Sequence, residues 1–188
     1  MREAADAITV RDCGDDELPA IAEIYTHHVL HGFGSFEEVP PSLDELSRRR
    51  DDIRAKGLPY LVALDPRGAV LGYAYASPYR TRSAYRFSIE DSIYVAPVAT
   101  RRGIGSRLLS VVIERCTALE YRQMVAVIGD RDNAGSIGLH LALGFVQVGL
   151  LPSIGFKGGR WIDGVLMQRA LGPGDTVPPR ERLIAPRP

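Results

Sequence analysis

The hydrophobic and polar positions alternate from Phe87 to Val95, and farther along the chain they follow a helical spacing instead. Apolar side chains occupy one face of the alternating stretch, at Phe87, Ile89, Ile93 and Val95, with Asp91 as an interruption. The other face carries Ser88, Glu90, Ser92 and Tyr94. After Pro97 the chain passes two closely spaced glycines, and apolar residues then recur at helical spacing from Leu108 to Cys116. This pattern predicts a strand, a glycine-containing turn and a helix.

The same criteria predict the remaining elements. Six further strands are expected over Ile8–Arg11, Leu58–Leu64, Ala69–Ala76, Gln123–Ile128, Phe145–Leu150 and Trp161–Gln168. Three further helices are expected over Asp15–Val29, from Ser42 to about Lys56, and over Asn133–Leu143. The resulting order, β-α-α-β-β-β-α-β-α-β-β, indicates an α/β fold with a mixed sheet and helices on both of its faces.

Length and composition bound the class of protein. A chain of 188 residues suits one domain, which we place at residues 1–171. Residues 172–188 contain five prolines and little apolar content, so we predict a disordered tail there. Basic and acidic residues both number 23, and this balance gives no indication of a nucleic-acid or membrane partner.

Metal binding and export are not indicated. His27, His28 and His31 do not share one helix face, and no cysteine or histidine cluster has metal-ligand spacing. We expect the two cysteines to be reduced thiols, and we expect a cytoplasmic protein because neither a signal peptide nor a membrane-length apolar segment is recognisable. The run from Arg48 to Asp52 is interpreted as a solvated helix face.

The turn after the central strand has the character of an anion site. Backbone N–H groups at the start of a helix are unpaired, and Gly103 and Gly105 allow a ligand to approach them closely. Arg101, Arg102 and Arg107 flank the turn. A dinucleotide site is excluded because Leu108 occupies the third glycine position of the G-x-G-x-x-G fingerprint. An acidic residue on the preceding strand, Glu90, indicates chemistry on a phosphate-bearing cofactor.

A second motif makes this turn more specific. Asn133, Ser136 and His140 follow at the spacing N-x-x-S-x-x-x-H, and Leu143-Gly144-Phe145 closes the segment. The combination resembles the GNAT superfamily of acyl-CoA-dependent N-acetyltransferases. Further segments resemble its phosphinothricin acetyltransferase branch, which includes enzymes acting on methionine sulfoximine and methionine sulfone: Pro40–Ser42, Gly57–Ala63, Gly72–Ala76, Glu90–Val95, Val125–Gly129 and Gly155–Lys157.

The resemblance covers about residues 8–171 and implies a fold, a co-substrate and a reaction. It implies a mostly antiparallel mixed sheet that splays to admit acetyl-CoA, and transfer of acetyl to the α-amino group of a small amino-acid-like amine. Direct attack in a ternary complex is expected, since no cysteine is placed beside Glu90 as an acyl carrier. The branch also implies a homodimer. One departure is Thr100, which stands where the superfamily has Arg or Gln.

The resemblance assigns the site residues. The catalytic pair would be Glu90, a base for the substrate ammonium, and His140, which would protonate the departing thiolate or orient the cofactor. The cofactor would bind at Ile93, Tyr94, Val95, Arg101, Arg102, Gly103, Ile104, Gly105, Ser106, Asn133 and Ser136. The acceptor would bind at Phe36, Glu37, Arg80, Thr81, Arg82, Asp91 and Ser92.

Several alternatives stay open at this stage. Judged on its residue type alone, Glu90 could belong to a structural ion pair, and His140 could be an ordinary helix histidine with satisfied hydrogen bonds. The chain could instead acetylate a peptide N-terminus or a polyamine. Another hypothesis for the whole chain is a non-catalytic acyl-CoA sensor, which the presence of Glu90 disfavours.

Overall fold

The computed structural model describes residues 8–179 as one seven-stranded sheet with four α-helices. The strands are β1 (Thr9–Asp12), β2 (Tyr60–Leu64), β3 (Val70–Pro78), β4 (Ser88–Val95), β5 (Gln123–Gly129), β6 (Val146–Lys157) and β7 (Arg160–Ala170). The helices are α1 (Leu18–His31), α2 (Leu43–Ala55), α3 (Ile104–Ala118) and α4 (Ala134–Ala142). The predicted order of elements and the α/β class are confirmed.

The sheet is antiparallel except at its centre. Its strand order is β1-β2-β3-β4-β5-β7-β6, and only β4 and β5 run parallel. This parallel pair is short, joining Ser88–Glu90 to Gln123–Val125. Beyond those residues the two strands lose their pairing, and a gap opens in the middle of an otherwise continuous sheet.

Helices cover both faces of the sheet. Tyr94 on β4 packs edge-on against Tyr25 of α1, so the even-numbered face of β4 looks toward α1 and α2. Asp91, one of the odd-numbered residues, bonds to His140 of α4, and Ile93 lies against Gly105 of α3. Adjacent residues of β4 therefore project into different layers, as strand geometry requires.

Local chemistry explains where two of the helices begin. The Ser42 hydroxyl accepts the backbone N–H of Glu45 at 3.2 Å, which is the predicted cap of α2. A proline stands in the first turn of α1, where its missing N–H costs nothing. That helix begins at Leu18, three residues later than the predicted Asp15.

Two predictions need correction. Strand β6 extends to Lys157, seven residues beyond the predicted end at Leu150, because pairing with β7 continues through two register irregularities. The Arg48–Asp52 run is not wholly solvated, since Arg50 is buried. Its guanidinium donates to the Gly14 carbonyl at 2.9 Å and pairs with Asp15 at 2.7 Å.

The segment after β7 turns back on the sheet. Gly174 is buried, and its carbonyl accepts a hydrogen bond from Arg122 at 3.4 Å. The rest of the predicted tail, residues 180–188, lies outside the described residues. Within residues 8–179, none of the helices has the length and apolar content needed to cross a membrane.

Candidate active site

The gap between β4 and β5 forms a cleft with a volume of about 600 Å³. One wall is the part of β4 that does not pair with β5, from Asp91 to Val95, and the other is Ala126–Ile128 of β5. The start of α3 closes one end and α4 closes a side, with Asn133, Ser136 and His140 in the lining. The predicted splay of the sheet is thus present, and it brings together two motifs that are some 30 residues apart in the chain.

The glycine turn presents its backbone to this cleft. Gly103 has φ of 75°, and a Cβ added there would meet no atom within 4 Å, so open space adjoins its backbone. No side chain caps the beginning of α3. Its first N–H groups are therefore available to an anion, and Gly103, Ile104, Gly105 and Ser106 all line the cleft.

The arginines of the turn differ in whether they line the cleft. Arg101 lines the cleft, whereas Arg102 is exposed beside it and is not part of the lining. The hydroxyl of Thr100 donates to the Pro97 carbonyl at 3.1 Å, so this side chain closes the turn instead of reaching a ligand. Backbone groups, more than side chains, give the turn its anion-binding character.

Helix α4 is held against the cleft by its own capping group. The Asn133 side chain accepts the backbone N–H of Ser136 at 3.2 Å and donates to the Gly129 carbonyl at 3.4 Å. Gly129 itself lies against the backbone of Phe33, with no room for a side chain. Asn133 therefore fixes the junction between β5 and α4 as well as lining the cleft.

Glu90 is the last residue of β4 that pairs with β5, and the cleft begins there. It lies opposite Ser77 of β3 and is part-buried. Among residues 8–179 the Glu90 carboxylate forms no ion pair. The described residues therefore do not support the alternative that Glu90 belongs to a structural ion pair. Burial raises the pKa of Glu90, the charge of Asp91 raises it further, and Arg80 opposes the rise. A carboxylate with a raised pKa and no ion pair among the described residues suits the role of a base.

His140 and Asp91 form a buried hydrogen-bonded pair at the inner end of the same cleft. The imidazole Nε2 lies 3.0 Å from Asp91 Oδ2, and both side chains are 2% exposed. The Nδ1 atom lies 2.7 Å from the Ser136 carbonyl. Burial alone would lower the pKa of His140, but the hydrogen bond to Asp91 and the charge of that carboxylate outweigh it and raise the pKa.

The predicted acceptor residues fall into two groups. Phe36 and Glu37 belong to a loop that reaches the Glu90 face of the sheet, where Glu37 pairs with Arg49 at 2.6 Å. Arg80, Thr81 and Arg82 lie on an exposed connection, with the Arg80 guanidinium 4.7 Å from the centroid of the Tyr79 ring. Asp91 is on the opposite strand face from Glu90, and Ser92 shares the Glu90 face.

Sequence reasoning missed a second cavity on the Glu90 face. It has a volume of about 280 Å³ and lies between α2 and the sheet, with Arg49, Tyr60, Tyr73, Tyr75 and Ser77 in its lining. The tyrosine rings stack along the sheet at centroid distances of 5.1 to 6.3 Å. The spacing of Tyr73 and Tyr75 could have indicated this cavity, because residues two apart share a strand face and the two rings therefore lie on the same side of the sheet.

The described residues offer no metal site. No group of three or more His, Cys, Asp or Glu side chains within residues 8–179 is arranged to hold a metal ion.

Comparison with known proteins gives concordant matches. The family described as "Acetyltransferase (GNAT) family" matches residues 21–145. A phosphinothricin N-acetyltransferase of Alcaligenes faecalis is 56% identical over 173 residues, covering 92% of this chain and 87% of that protein. An L-methionine sulfoximine/L-methionine sulfone acetyltransferase of Pseudomonas aeruginosa is 39% identical over 170 residues, covering 90% and 98%.

A solved structure extends the likeness to three dimensions. The GNAT superfamily phosphinothricin acetyltransferase of Sinorhizobium meliloti, crystallised in complex with acetyl-CoA, superimposes with a TM-score of 0.91 at 52% identity. The match covers 95% of this chain and 96% of that one. From its splayed sheet, its glycine turn and these matches, the chain belongs to the GNAT family of acetyltransferases.

Proposed function

We propose that the protein transfers acetyl from acetyl-CoA to the α-amino group of a small amino acid or analogue, such as phosphinothricin, methionine sulfoximine or methionine sulfone. The observation that carries the proposal is the part-buried Glu90 carboxylate, unpaired among the described residues, at the point where the β4–β5 cleft begins. The names of the relatives at 56% and 39% identity supply the acceptor class.

The cleft has the features that acetyl-CoA needs. The open backbone at Gly103 and the uncapped start of α3 would receive the pyrophosphate. The stretch from Ile93 to Val95, which pairs with β3 but not with β5, would border the pantetheine arm. Asn133 and Ser136 would border the same arm. When bound, acetyl-CoA supplies an acetyl group activated as a thioester.

Glu90 would prepare the acceptor. An amino acid carries its amine as an ammonium near neutral pH, and nitrogen must lose a proton before it can attack. A raised pKa lets Glu90 take that proton directly or through water. Attack is direct, because neither cysteine lines the cleft.

The acceptor would be held on the Glu90 face. Arg80 and Arg82 would bind its carboxylate or phosphinate, with Thr81 and Ser92 nearby as polar contacts. Phe36 and Glu37 would close the pocket from the opposite loop. The charge of Arg80 lowers the pKa of Glu90, so Arg80 is close enough to influence that carboxylate electrostatically. This basic character disfavours a polyamine acceptor, and the unpaired Glu90 disfavours a non-catalytic sensor.

The release of CoA thiol across a panel of amines tests the proposal. We expect phosphinothricin, methionine sulfoximine or methionine sulfone to support turnover, and spermidine or lysine-rich peptides to support little. Glu90→Gln should lower kcat by about 10²–10⁴, the usual contribution of a positioned base. The matched control Glu23→Gln, on the exposed side of α1, should keep full activity. Equal kcat for Glu90→Gln at pH 7 would contradict the proposal.

We also propose a homodimer built on the outer face of β6. This strand is the edge of the sheet and runs for 12 residues. Large apolar side chains more than half exposed lie on it and on neighbouring β7, at Val146, Val148, Ile154, Phe156 and Trp161. A long apolar edge strand is unfavourable in water and is usually covered, and a second copy would cover it.

Sedimentation velocity at micromolar concentration tests the dimer. Val148→Glu should shift the protein toward monomer, whereas Leu30→Glu, an exposed apolar position at the end of α1, should not. A wild-type protein that sediments as a monomer would refute this part.

We place the enzyme in the cytoplasm, where an acetyl-CoA-consuming reaction has its co-substrate.

A further inference from the structure

The connection between α1 and α2 passes directly beside the β4–β5 cleft. Its residues 33–37, the acceptor loop, include two of the proposed acceptor residues. Gly34 belongs to the lining of the cleft, and a Cβ added to it would lie 3.5 Å from the side-chain nitrogen of Asn133. The Phe33 carbonyl lies so close to Gly129, at the end of β5, that no side chain would fit there. The conformation of this loop therefore influences where an acceptor can lie relative to the cleft.

The tip of the β6–β7 hairpin, residues 155–160, packs against the acceptor loop. The Arg160 guanidinium carbon lies 3.9 Å from the centroid of the Phe33 ring. A side chain at Gly155 would overlap the Phe36 ring, so this ring lies directly on the hairpin backbone. Both aromatic rings of the loop thus contact one hairpin, which is distant in the chain.

Lys157 makes the polar contact between the hairpin tip and the loop. The residue is only 7% exposed, and its ammonium donates to the Ser35 carbonyl at 2.7 Å. Within residues 8–179 it forms no salt bridge. Burial lowers the pKa of Lys157, and the charges of Glu38 and Glu37 oppose that shift, so the acidic end of the loop is close. Burying an ammonium without a paired carboxylate is unfavourable, which favours a role for Lys157 other than stabilising the fold.

Ser35 connects the contact with Lys157 to the rest of the loop. Its side chain is buried, and its Oγ accepts the backbone N–H of Glu37 at 3.2 Å. The same Oγ lies 3.1 Å from the Tyr25 hydroxyl of α1. A change in the position of Ser35 would therefore also move the backbone of Glu37.

We propose that Lys157 is a positioning residue for acceptor binding, which holds the acceptor loop through the Ser35 carbonyl before the acceptor arrives. This inference rests on the proposed acetyl transfer. Lys157 lies outside the lining of the β4–β5 cleft and takes no part in proton transfer. Its contribution is preorganisation, because an acceptor that binds to an ordered loop does not have to order it.

The cofactor should be less sensitive to Lys157 than the acceptor is. The proposed cofactor contacts are in the glycine turn, in β4 and in α4, whose first turn Asn133 caps. Gly34 is the residue of the acceptor loop that lines the cleft, whereas Phe36 and Glu37 lie beyond it. Loosening the loop should therefore weaken acceptor binding selectively.

Lys157→Met removes the donor and the charge and keeps the length of the side chain. With methionine sulfone as the acceptor, KM should rise about ten- to a hundredfold, as expected when a hydrogen bond from a charged group is lost. The kcat at saturating acceptor and the affinity for CoA by calorimetry should both stay within about threefold of wild type. The control Lys56→Met, exposed after α2, should change none of these quantities.

The selectivity of this effect distinguishes positioning from a merely structural role. A less stable enzyme has fewer active molecules, so its apparent kcat falls while KM is unchanged. A distorted cleft would weaken the binding of CoA as well. A rise in acceptor KM of less than about fivefold, or an equal loss of CoA affinity, would overturn the proposal.

Hydrogen exchange in the wild-type protein supplies an arm that needs no variant. The Glu37 N–H is bonded to Ser35 Oγ, so its exchange rate reports the order of the loop. This amide should be protected without ligand, and saturating methionine sulfone with CoA should add less than about fivefold protection. A larger gain, or an amide that is unprotected without ligand, would show that the acceptor orders the loop and would overturn the proposal.

The same measurement separates this inference from the proposed function. Failure of the wild-type protein to release CoA thiol with any amine would refute the proposed function. The exchange of the Glu37 amide without ligand would still report on Lys157, and Lys157→Met should accelerate it about ten- to a hundredfold. Unchanged exchange in that variant would show that Lys157 does not hold the loop.

Discussion

The Arg49 guanidinium donates to the Glu37 carboxylate at 2.6 Å and so ties helix α2 to the loop that precedes it. Arg49 also bonds to Glu45 within its own helix at 2.7 Å. The loop carries Phe36, whose ring packs against Gly155 of β6. The pair therefore fixes one wall of the proposed acceptor pocket without belonging to the cofactor cleft.

Arg49→Met should loosen this wall. We expect KM for the amino-acid acceptor to rise about 1.5- to 5-fold, because a part-exposed ion pair contributes about 0.2–1 kcal/mol. KM for acetyl-CoA should not change. Steady-state kinetics with each substrate varied in turn measures both values.

The neighbouring arginine is the matched control for that variant. Within residues 8–179, the ion pairs of Arg48 are those with Glu45 and Asp52 on the outer surface of α2, so Arg48→Met should affect neither KM. Equal effects of the two substitutions would show that helix stability, not the loop, is responsible.

The open backbone at Gly103 should be essential for cofactor binding. Gly103→Val should weaken acetyl-CoA binding at least about tenfold, since a side chain blocks the approach to the N–H groups and disfavours the positive φ. Calorimetry on the folded variant measures the affinity. Gly68→Val is the control, because Gly68 also has positive φ and open space but lies in the β2–β3 turn. Unchanged affinity in Gly103→Val would remove the turn from the binding site.

The arginines of the β3–β4 connection should govern acceptor recognition. A charge-assisted contact contributes about 1.5–3 kcal/mol, so Arg80→Ala or Arg82→Ala should raise KM for the acceptor about ten- to a hundredfold. KM for acetyl-CoA should be nearly constant. Arg86→Ala serves as the control, because that guanidinium stacks over the Phe87 ring on the same connection. If neither Arg80 nor Arg82 affects acceptor KM, the acceptor is held elsewhere.

The bond between His28 and the Val95 carbonyl should make stability depend on pH. The imidazole Nε2 donates to that carbonyl at 2.9 Å, beside the cleft. Burial lowers the pKa of His28, although this hydrogen bond partly opposes the shift. The unfolded chain therefore binds a proton more readily, and stability is lost as pH falls below the ordinary value of about 6.5 toward the lowered one.

His28→Gln tests this dependence, because the amide keeps a donor and has no titration. The melting temperature of the variant should fall less than that of wild type between pH 7 and pH 5. A difference of about 2–4 °C corresponds to about 1 kcal/mol in a chain of this size. Parallel melting curves at all pH values would contradict the prediction.

The local features of this protein could be predicted from its amino-acid sequence alone. Alternation along β4, the Ser42 cap of α2 and the glycine turn at the start of α3 depend on neighbouring residues, so periodicity and backbone preference were enough to predict them. The order of elements and the motifs around Asn133 were sufficient to indicate the family.

The contacts between groups that are far apart in the chain could be seen only once the fold was known. Asp91 interrupts the apolar face of β4 with no local reason, and its partner His140 is 49 residues away. Arg50 lies in a charged run yet is buried, because carbonyl and carboxylate groups from the segment before α1 surround it. Hydrogen bonds and burial between distant segments depend on how the layers pack, and local periodicity carries no information about that packing.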